Sequence, residues 1–369
     1  MATEIIATGK AVPARRVTND DLARGEWIAA TKIDTNDEWI RSHTGIGARH
    51  IADEDTAASD LALEAAKQAL AMAAGWDGTG DGAASREAAA SREAAIAETA
   101  LTLDFIIIAT VTPDFLGCPS TACIVQDKIG AKNAAAMDIT AGCTGFVYGI
   151  ETAAGLLGIN KGRKRALVIG ADVLTKVANW NDRGTCVLFG DGSGAVVVEK
   201  TGNPSEGPGK RGLLRTILGA DGSGTEYLIN RRGGTRNPWK AGEIVDIPPH
   251  LEMDGRAVYN FAVKAVTETI SRLLAEEGAS SGAALTFNDL AWIVPHQANA
   301  RIVQAAGKRL GIPEEKFFLN IEEYANTSAA SIPIALDEMN RGGKLHKGDL
   351  ILTVGFGGGL TYGGNLIVW

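Results

Sequence analysis

The chain has 369 residues, 45% of them hydrophobic and 22% charged, which fits a globular protein with a large core, in two domains or one duplicated one. A net charge of −8 at pH 7 excludes a general nucleic-acid or membrane-surface role. Four cysteines, at 118, 123, 143 and 186, are too few for a disulfide framework, and no Cys/His pair at metal spacing accompanies the first two, which argues against zinc.

The N-terminus lacks the basic and apolar regions of a signal peptide, and no run reaches the ~18 apolar residues of a membrane span. These features predict a reducing, cytoplasmic setting. Residues 5–8 read as a first strand, and helices are expected from Asn19, from Asn36 and over residues 56–74, where Leu61, Ala65, Ala69 and Met72 recur near helical spacing. Residues 75–102 read as an insertion. They open on Gly and Asp and continue into a tandem Ala-Ser-Arg-Glu-Ala-Ala repeat without a large apolar residue, expected to be a solvated helix or disordered. Residues 104–110 form a continuous apolar run, as in a strand buried on both faces. A helix over 121–129 and strands over 135–139, 165–170 and 194–199 follow, so strands alternate with helices in an α/β layered fold.

The second half restarts this order. A strand is expected over 213–218, a long helix over 254–275, a strand ending at His296, a helix over 300–310, a strand over 317–320 and a helix opening at Asn326. The half-ends also rhyme, Phe189-Gly190-Asp191-Gly192 against Phe356-Gly357-Gly358-Gly359. The reading is a duplicated chain with halves 1–200 and 210–369, joined through a Gly/Pro-rich linker over 202–209.

Asp138-Ile139-Thr140-Ala141-Gly142-Cys143-Thr144-Gly145-Phe146 reads as strand, tight turn and helix. Cys143 then stands at the helix start, where unpaired N–H groups and the dipole favour a thiolate. The duplication gives it a counterpart, Asn326, and His296 ends a buried strand. Two quasi-symmetric halves bring these strand ends to one central site. Singly, the strand-end histidine and the helix-capping asparagine are more often structural, while the glycine setting of the cysteine leans towards function. The glycine run 355–359 does not meet the dinucleotide-binding fingerprint, and the chain has neither a phosphate-binding P-loop nor a Gly-x-Ser-x-Gly elbow.

Together the Cys143 segment, Pro295-His296-Gln297-Ala298-Asn299, Ala325-Asn326-Thr327-Ser328-Ala329-Ala330-Ser331 and Gly355-Phe356-Gly357-Gly358-Gly359 resemble the β-ketoacyl-acyl-carrier-protein synthase III family of the thiolase superfamily. The resemblance covers nearly the whole chain outside 75–102. It implies a thiolase-like, duplicated five-layer α-β-α-β-α fold and a decarboxylative Claisen condensation of an acyl-CoA primer with malonyl-acyl-carrier-protein, which initiates fatty-acid synthesis. Cys143 is implied as the nucleophile and Gly358 N–H as an oxyanion donor beside the Cys143 N–H. His296 and Asn326 are implied as donors to the malonyl enolate, a role that suits Asn because it has no titratable group. Trp39 and Arg183 are implied to hold the CoA adenine, and Thr35 and Asn299 to contact CoA or its pantetheine arm. Arg301, Lys308 and Arg309 would form a basic face for an acidic carrier protein. Where some members carry a bulky Phe that closes the partner's acyl pocket, this chain has Cys118, so a pocket for primers longer than acetyl is expected. Where relatives carry a CoA-contacting Arg downstream of the Trp, it has His43, with Arg41 nearby. A homodimer is implied, with no metal and no cofactor, acyl-CoA being a substrate. The alternative is a related Cys/His/Asn starter-unit or acyl-transfer enzyme of secondary metabolism.

Overall fold

The structure, a computed structural model, describes residues 2–25, 33–76, 86–202, 211–240, 242 and 250–369. The first half contains β1 (Ala2–Ala11), β2 (Arg16–Thr18), α1 (Asn19–Arg24), α2 (Asp37–Thr44), β3 (Ala48–His50), α3 (Ala58–Ala73) and α4 (Arg86–Ala100). It continues through β4 (Phe105–Ala109), α5 (Thr121–Lys128), β5 (Ala135–Ile139), α6 (Gly145–Ile159), β6 (Arg165–Val173), α7 (Arg183–Cys186) and β7 (Asp191–Thr201). The second half contains β8 (Gly212–Ala220), β9 (Leu228–Asn230), β10 (Leu251–Met253), α8 (Gly255–Ser281), β11 (Trp292–Pro295) and α9 (Ala300–Leu310). It closes with α10 (Ile321–Tyr324), α11 (Ser331–Arg341), β12 (Leu350–Gly357) and β13 (Thr361–Val368).

The fully apolar strands lie at the centre of the molecule. One five-stranded sheet has the order β1-β7-β6-β4-β5. A four-stranded sheet has the order β11-β12-β13-β8, which is the same arrangement read from the other end. In each, two antiparallel pairs lead into parallel pairing, with two parallel pairs in the first sheet and one in the second. Helices α6 and α11 lie between the two sheets, α6 against β4, β6, β12 and β13, and α11 against β1, β7 and β11. Helix α3 covers the far face of the first sheet and α8 that of the second. The result is the five-layer α-β-α-β-α stack. Its middle core joins Phe146, Ile150 and Leu157 of α6 to Ile332 and Leu336 of α11, Val168 of β6 and Ile351 of β12. All are residues whose apolar area is removed from water on folding.

Some elements differ from the sequence reading. Residues 317–320 make one parallel bridge, Phe317 to Ile293, and no strand. The buried Gln297 side chain occupies their backbone instead: its Nε2 donates to Phe318 O at 3.2 Å and its Oε1 accepts from Asn320 N at 3.1 Å. Asn326 does not open a helix; a short 3₁₀ turn (Ser328–Ala330) precedes α11. Thr18, rather than Asn19, caps α1, in a capping box with Asp21. Helix α4 carries most of the repeat, and its C-terminal end belongs to the core: Ile96 and Ala100 are buried, as is Leu103 just beyond, in the cluster that holds α3. Residues 77–85 of the expected insertion, and 203–209 of the expected linker, lie outside the described residues.

Candidate active site

Cys143 lies in the turn between β5 and α6, two residues before the first helical residue Gly145. The turn is closed by Thr144 N to Ala141 O at 3.2 Å and Gly145 N to Gly142 O at 3.0 Å. Gly142 has φ +54°, and a Cβ on it would come within 2.7 Å of Gly358 N and O. A Cβ on Gly357 would meet Cys143 N. The two backbones therefore touch, and glycine permits it. Thr361 clasps them together: its Oγ1 lies 2.7 Å from Ala141 O and 3.1 Å from Thr144 Oγ1. This close approach packs the Gly357–Gly358 backbone directly against the turn that carries Cys143.

His296 extends β11, its N–H donating to Val354 O at 2.8 Å. The residue is 1% exposed, with its ring edge-on to Phe356 at 5.3 Å. Nδ1 lies 2.7 Å from Ser331 Oγ. Asn326 is pinned between two backbone groups, its N donating to Leu188 O at 2.9 Å and its O accepting from Gly190 N at 3.0 Å. Its Oδ1 accepts from Ser328 N at 2.8 Å, which turns Nδ2, the donor end, away from that bond. Ala325 and Ser328, on either side, have φ of +55° and +53°, strain of the kind held at functional sites.

Cys143, His296 and Asn326 all line one cavity of about 240 Å³, with Trp39, His43, Arg183, Asn299, Arg301 and Phe356 among its other walls. Cys143 also stands at the wall of a second cavity of about 350 Å³, lined by Val111, Leu174, Val177, Leu228, Ile229 and Leu251 and reaching Gly358. The nucleophile thus sits where a polar-mouthed channel meets an apolar chamber.

The electrostatics correct one expectation. Burial pushes the Cys143 thiol well above its ordinary range, the Ser328 side chain works against this, and the Asp172 carboxylate adds to it. The cavities leave the residue half-exposed, but protein surrounds the sulfur. Burial therefore favours the thiol over the thiolate at rest, and Cys143 stands one residue before Thr144, the cap of α6. Burial also pushes His296 down to about 3, so the imidazole is neutral and gives the sulfur no positive partner. Asp172 was not singled out from the sequence. Its buried carboxylate accepts from Thr110 Oγ1, Thr112 Oγ1, Val111 N and Ala329 N at 2.8–3.3 Å, tying the 3₁₀ turn after Asn326 to the first sheet. Burial raises its pKa despite these bonds.

The outer residues are placed as follows. The Arg183 guanidinium lies over the Trp39 ring at 4.5 Å and donates to Asp34 O at 2.8 Å, while His43 stacks on Trp39 at 4.4 Å. The Trp39–Arg183 slot is therefore closed and must open for a flat ring to enter. Thr35 lines neither cavity, but its Oγ1 is buried without a partner among the described residues. Both ends of the Asn299 amide are engaged, Oδ1 capping α9 at Arg301 N and Nδ2 donating to His43 O. Arg41 is held by Asp37 and Glu322. Arg301, Lys308 and Arg309 are exposed on α9, and at i, i+7 and i+8 they share a face. Cys118 is exposed beside Phe115 and Leu116 and lines neither cavity of its own chain. Among the described residues no His/Cys/Asp/Glu group could hold a metal ion, and no helix is long and apolar enough to cross a membrane.

Residues 137–222 match the family described as 3-oxoacyl-[acyl-carrier-protein (ACP)] synthase III, and residues 281–369 match its C-terminal counterpart. The chain is 44% identical to the beta-ketoacyl-[acyl-carrier-protein] synthase III of Caldanaerobacter subterraneus subsp. tengcongensis over 370 residues, covering 100% of this chain and 98% of that protein. It is 43% identical to the Geobacillus kaustophilus protein of the same name, covering 100% of this chain and 99% of that one. Its structure is similar to that of 3-oxoacyl-[acyl-carrier-protein] synthase III from Aquifex aeolicus VF5, with a TM-score of 0.77 and 40% identity over 100% of both chains. With the fold, the Cys/His/Asn site and full-length relatives in agreement, the chain belongs to the β-ketoacyl-acyl-carrier-protein synthase III family of condensing enzymes.

Proposed function

We propose that this enzyme condenses an acyl-CoA primer with malonyl-acyl-carrier-protein to give 3-oxoacyl-acyl-carrier-protein, CoA and CO2, the first condensation of fatty-acid synthesis. The observation that carries the reading is the convergence of Cys143, His296 and Asn326 on one cavity, where the Asn326 Oδ1 is already bonded and His296 is neutral. Two neutral donors suit an enolate, and neither is a general base.

In the first half-reaction Cys143 Sγ attacks the thioester carbonyl, the C–S bond to CoA breaks, and the thiol proton leaves with CoA as its thiol. The tetrahedral oxyanion rests on the Cys143 and Gly358 amides. In the second, the malonyl C–CO2 bond breaks and its electron pair forms an enolate whose oxygen accepts from His296 Nε2 and Asn326 Nδ2. The carbon attacks the acyl-Cys143 carbonyl, and the sulfur departs as thiolate. Burial then favours uptake of one proton from water, which restores the resting thiol.

Trp39 and Arg183, once parted, would hold the CoA adenine, and Thr35 and Asn299 would contact CoA or its pantetheine arm. Arg301, Lys308 and Arg309 fit an acidic acyl carrier protein. Exposed Phe115, Leu116 and Trp239 support a homodimer in which the Cys118 loop reaches the partner's acyl chamber; a sedimentation mass of one chain would count against this. The apolar chamber has room for about a dozen waters at ~30 Å³ each, far more than an acetyl group fills. Primers longer than acetyl are therefore the expected substrates. Product, CoA and CO2 should appear in equal amounts, with kcat/KM rising from acetyl to longer acyl-CoA. A strict preference for acetyl-CoA overturns the primer reading, and condensation without CO2 release overturns the reaction.

A further inference from the structure

The histidine of this site needs its proton on one particular nitrogen. His296 makes no Nε2 hydrogen bond to any described residue, and the ring lines the cavity. A neutral imidazole donates from Nε2 only in the tautomer whose Nδ1 is bare. The only polar atom bonded to Nδ1 among the described residues is the Ser331 hydroxyl oxygen, at 2.7 Å. That oxygen is also 3.3 Å from the Gln297 backbone N–H, a group that can only donate.

Ser331 is 2% exposed, and its hydroxyl has no other acceptor within hydrogen-bond distance among the described residues. If Nδ1 carried the proton, Ser331 Oγ would face two donors, and its own hydrogen would be buried without an acceptor, an unfavourable arrangement. If Nδ1 is bare, the hydroxyl accepts from Gln297 and donates to Nδ1, so every group is satisfied. We infer that Ser331 is a positioning residue that fixes His296 as the Nε2–H tautomer, so that the side chain can donate to the enolate oxygen.

The orientation is supported from both ends of the serine. Ser331 is the first residue of α11, held between the sheets. Gln297 is itself locked by bonds to Pro295 O and Phe318 O and by the bond from Asn320 N. The N–H that points at Ser331 therefore cannot turn away. This assignment rests on the proposed role of His296 as a donor, and its test separates the two.

The experiment is 15N NMR of the enzyme labelled at histidine, with the His296 signals identified by their loss in His296→Gln. The expected result is a pyridine-type Nδ1 and a pyrrole-type Nε2 at pH 7. In Ser331→Ala the Nδ1–H form should grow, and the condensation kcat should fall roughly 10- to 100-fold, by analogy with the loss when the hydrogen-bond partner of a metal-ligating histidine is removed. The rate of Cys143 acylation and the KM for the malonyl thioester should hold. A pyrrole-type Nδ1 in the unmutated enzyme overturns the assignment, as does a Ser331→Ala enzyme with unchanged tautomer and kcat. If Ser331→Ala does not fold, the unmutated spectrum decides alone. If the unmutated enzyme releases no CO2 from a malonyl thioester, the condensation reading fails while the spectrum still decides on Ser331.

Discussion

Gly142 shows how little room the nucleophile has. Its φ of +54° and the 2.7 Å approach to Gly358 leave no place for a methyl group. Gly142→Ala should push the glycine loop off the Cys143 turn, at a cost of about 1–3 kcal/mol from backbone strain alone. Urea unfolding and the acylation rate would both register it; an alanine enzyme of unchanged stability and rate would show that the turn has slack. His296 sets a pH dependence. Its pKa is about 6.5 unfolded and is lowered to about 3 in the fold. It therefore contributes stability above pH 6.5 that is lost as pH falls toward 3, because the unfolded chain takes up the proton first. Asp191, raised to about 6 by burial, acts oppositely: its contribution is full below about pH 4 and is lost as pH rises through 6. Between pH 7.5 and 5, His296→Gln should lose less stability than the unmutated enzyme, by about 2 kcal/mol at ~1.4 kcal/mol per pH unit. Equal losses in urea titrations would mean that the histidine takes up its proton as readily in the fold as in the unfolded chain. At this scale the sequence picks out the residues that the fold gathers round one cavity, but not their protonation. The Cys143, His296 and Asn326 motifs are readable as letters. That Cys143 rests as a thiol depends on Asp172 and on burial, which come from distant segments.

At the scale of elements, α9 carries its apolar side inward through Ile302, Val303 and Ala306 and exposes Lys308 and Arg309. If that face meets an acidic carrier protein, Lys308→Glu with Arg309→Glu should raise the KM for malonyl-acyl-carrier-protein roughly tenfold (about 1.4 kcal/mol). Acylation by acyl-CoA should not change. The effect should shrink at high salt as the charges are screened. An equal rise for a malonyl thioester that carries no protein would point to a folding defect. Long periodic or fully apolar elements were legible: α9 and β5 have the expected bounds, and α3 and β4 lie within a residue or two of theirs. The segment 317–320 was not, because the Gln297 amide imitates a neighbouring strand and no periodicity reports a side chain used as backbone. The end of α4 was misread for a related reason. A repeat of small and charged residues looks solvated until Ile96 and Ala100 meet α3.

For the whole molecule, the two sheets repeat one strand order, and the two central helices follow corresponding positions in it. Cys143 before α6 and Asn326 before α11 are therefore brought to the middle by the same geometry, and His296 joins them from a strand end. That convergence was legible because the order of elements repeats along the chain, although the halves share little sequence. The two cavities that meet at Cys143 were not legible, since their walls come from β9, β10, α7 and the glycine loop, which are brought together only by the fold. If Cys143 carries the acyl group and His296 serves the malonyl half-reaction, the two steps can be separated by mutation. Intact-protein mass spectrometry of His296→Ala after incubation with acyl-CoA and malonyl-acyl-carrier-protein tests this division of labour most directly. A stable acyl adduct on Cys143 is expected, with condensation reduced by about 10²–10³. A His296→Ala enzyme that carries no acyl group, or that condenses at the unmutated rate, would contradict it.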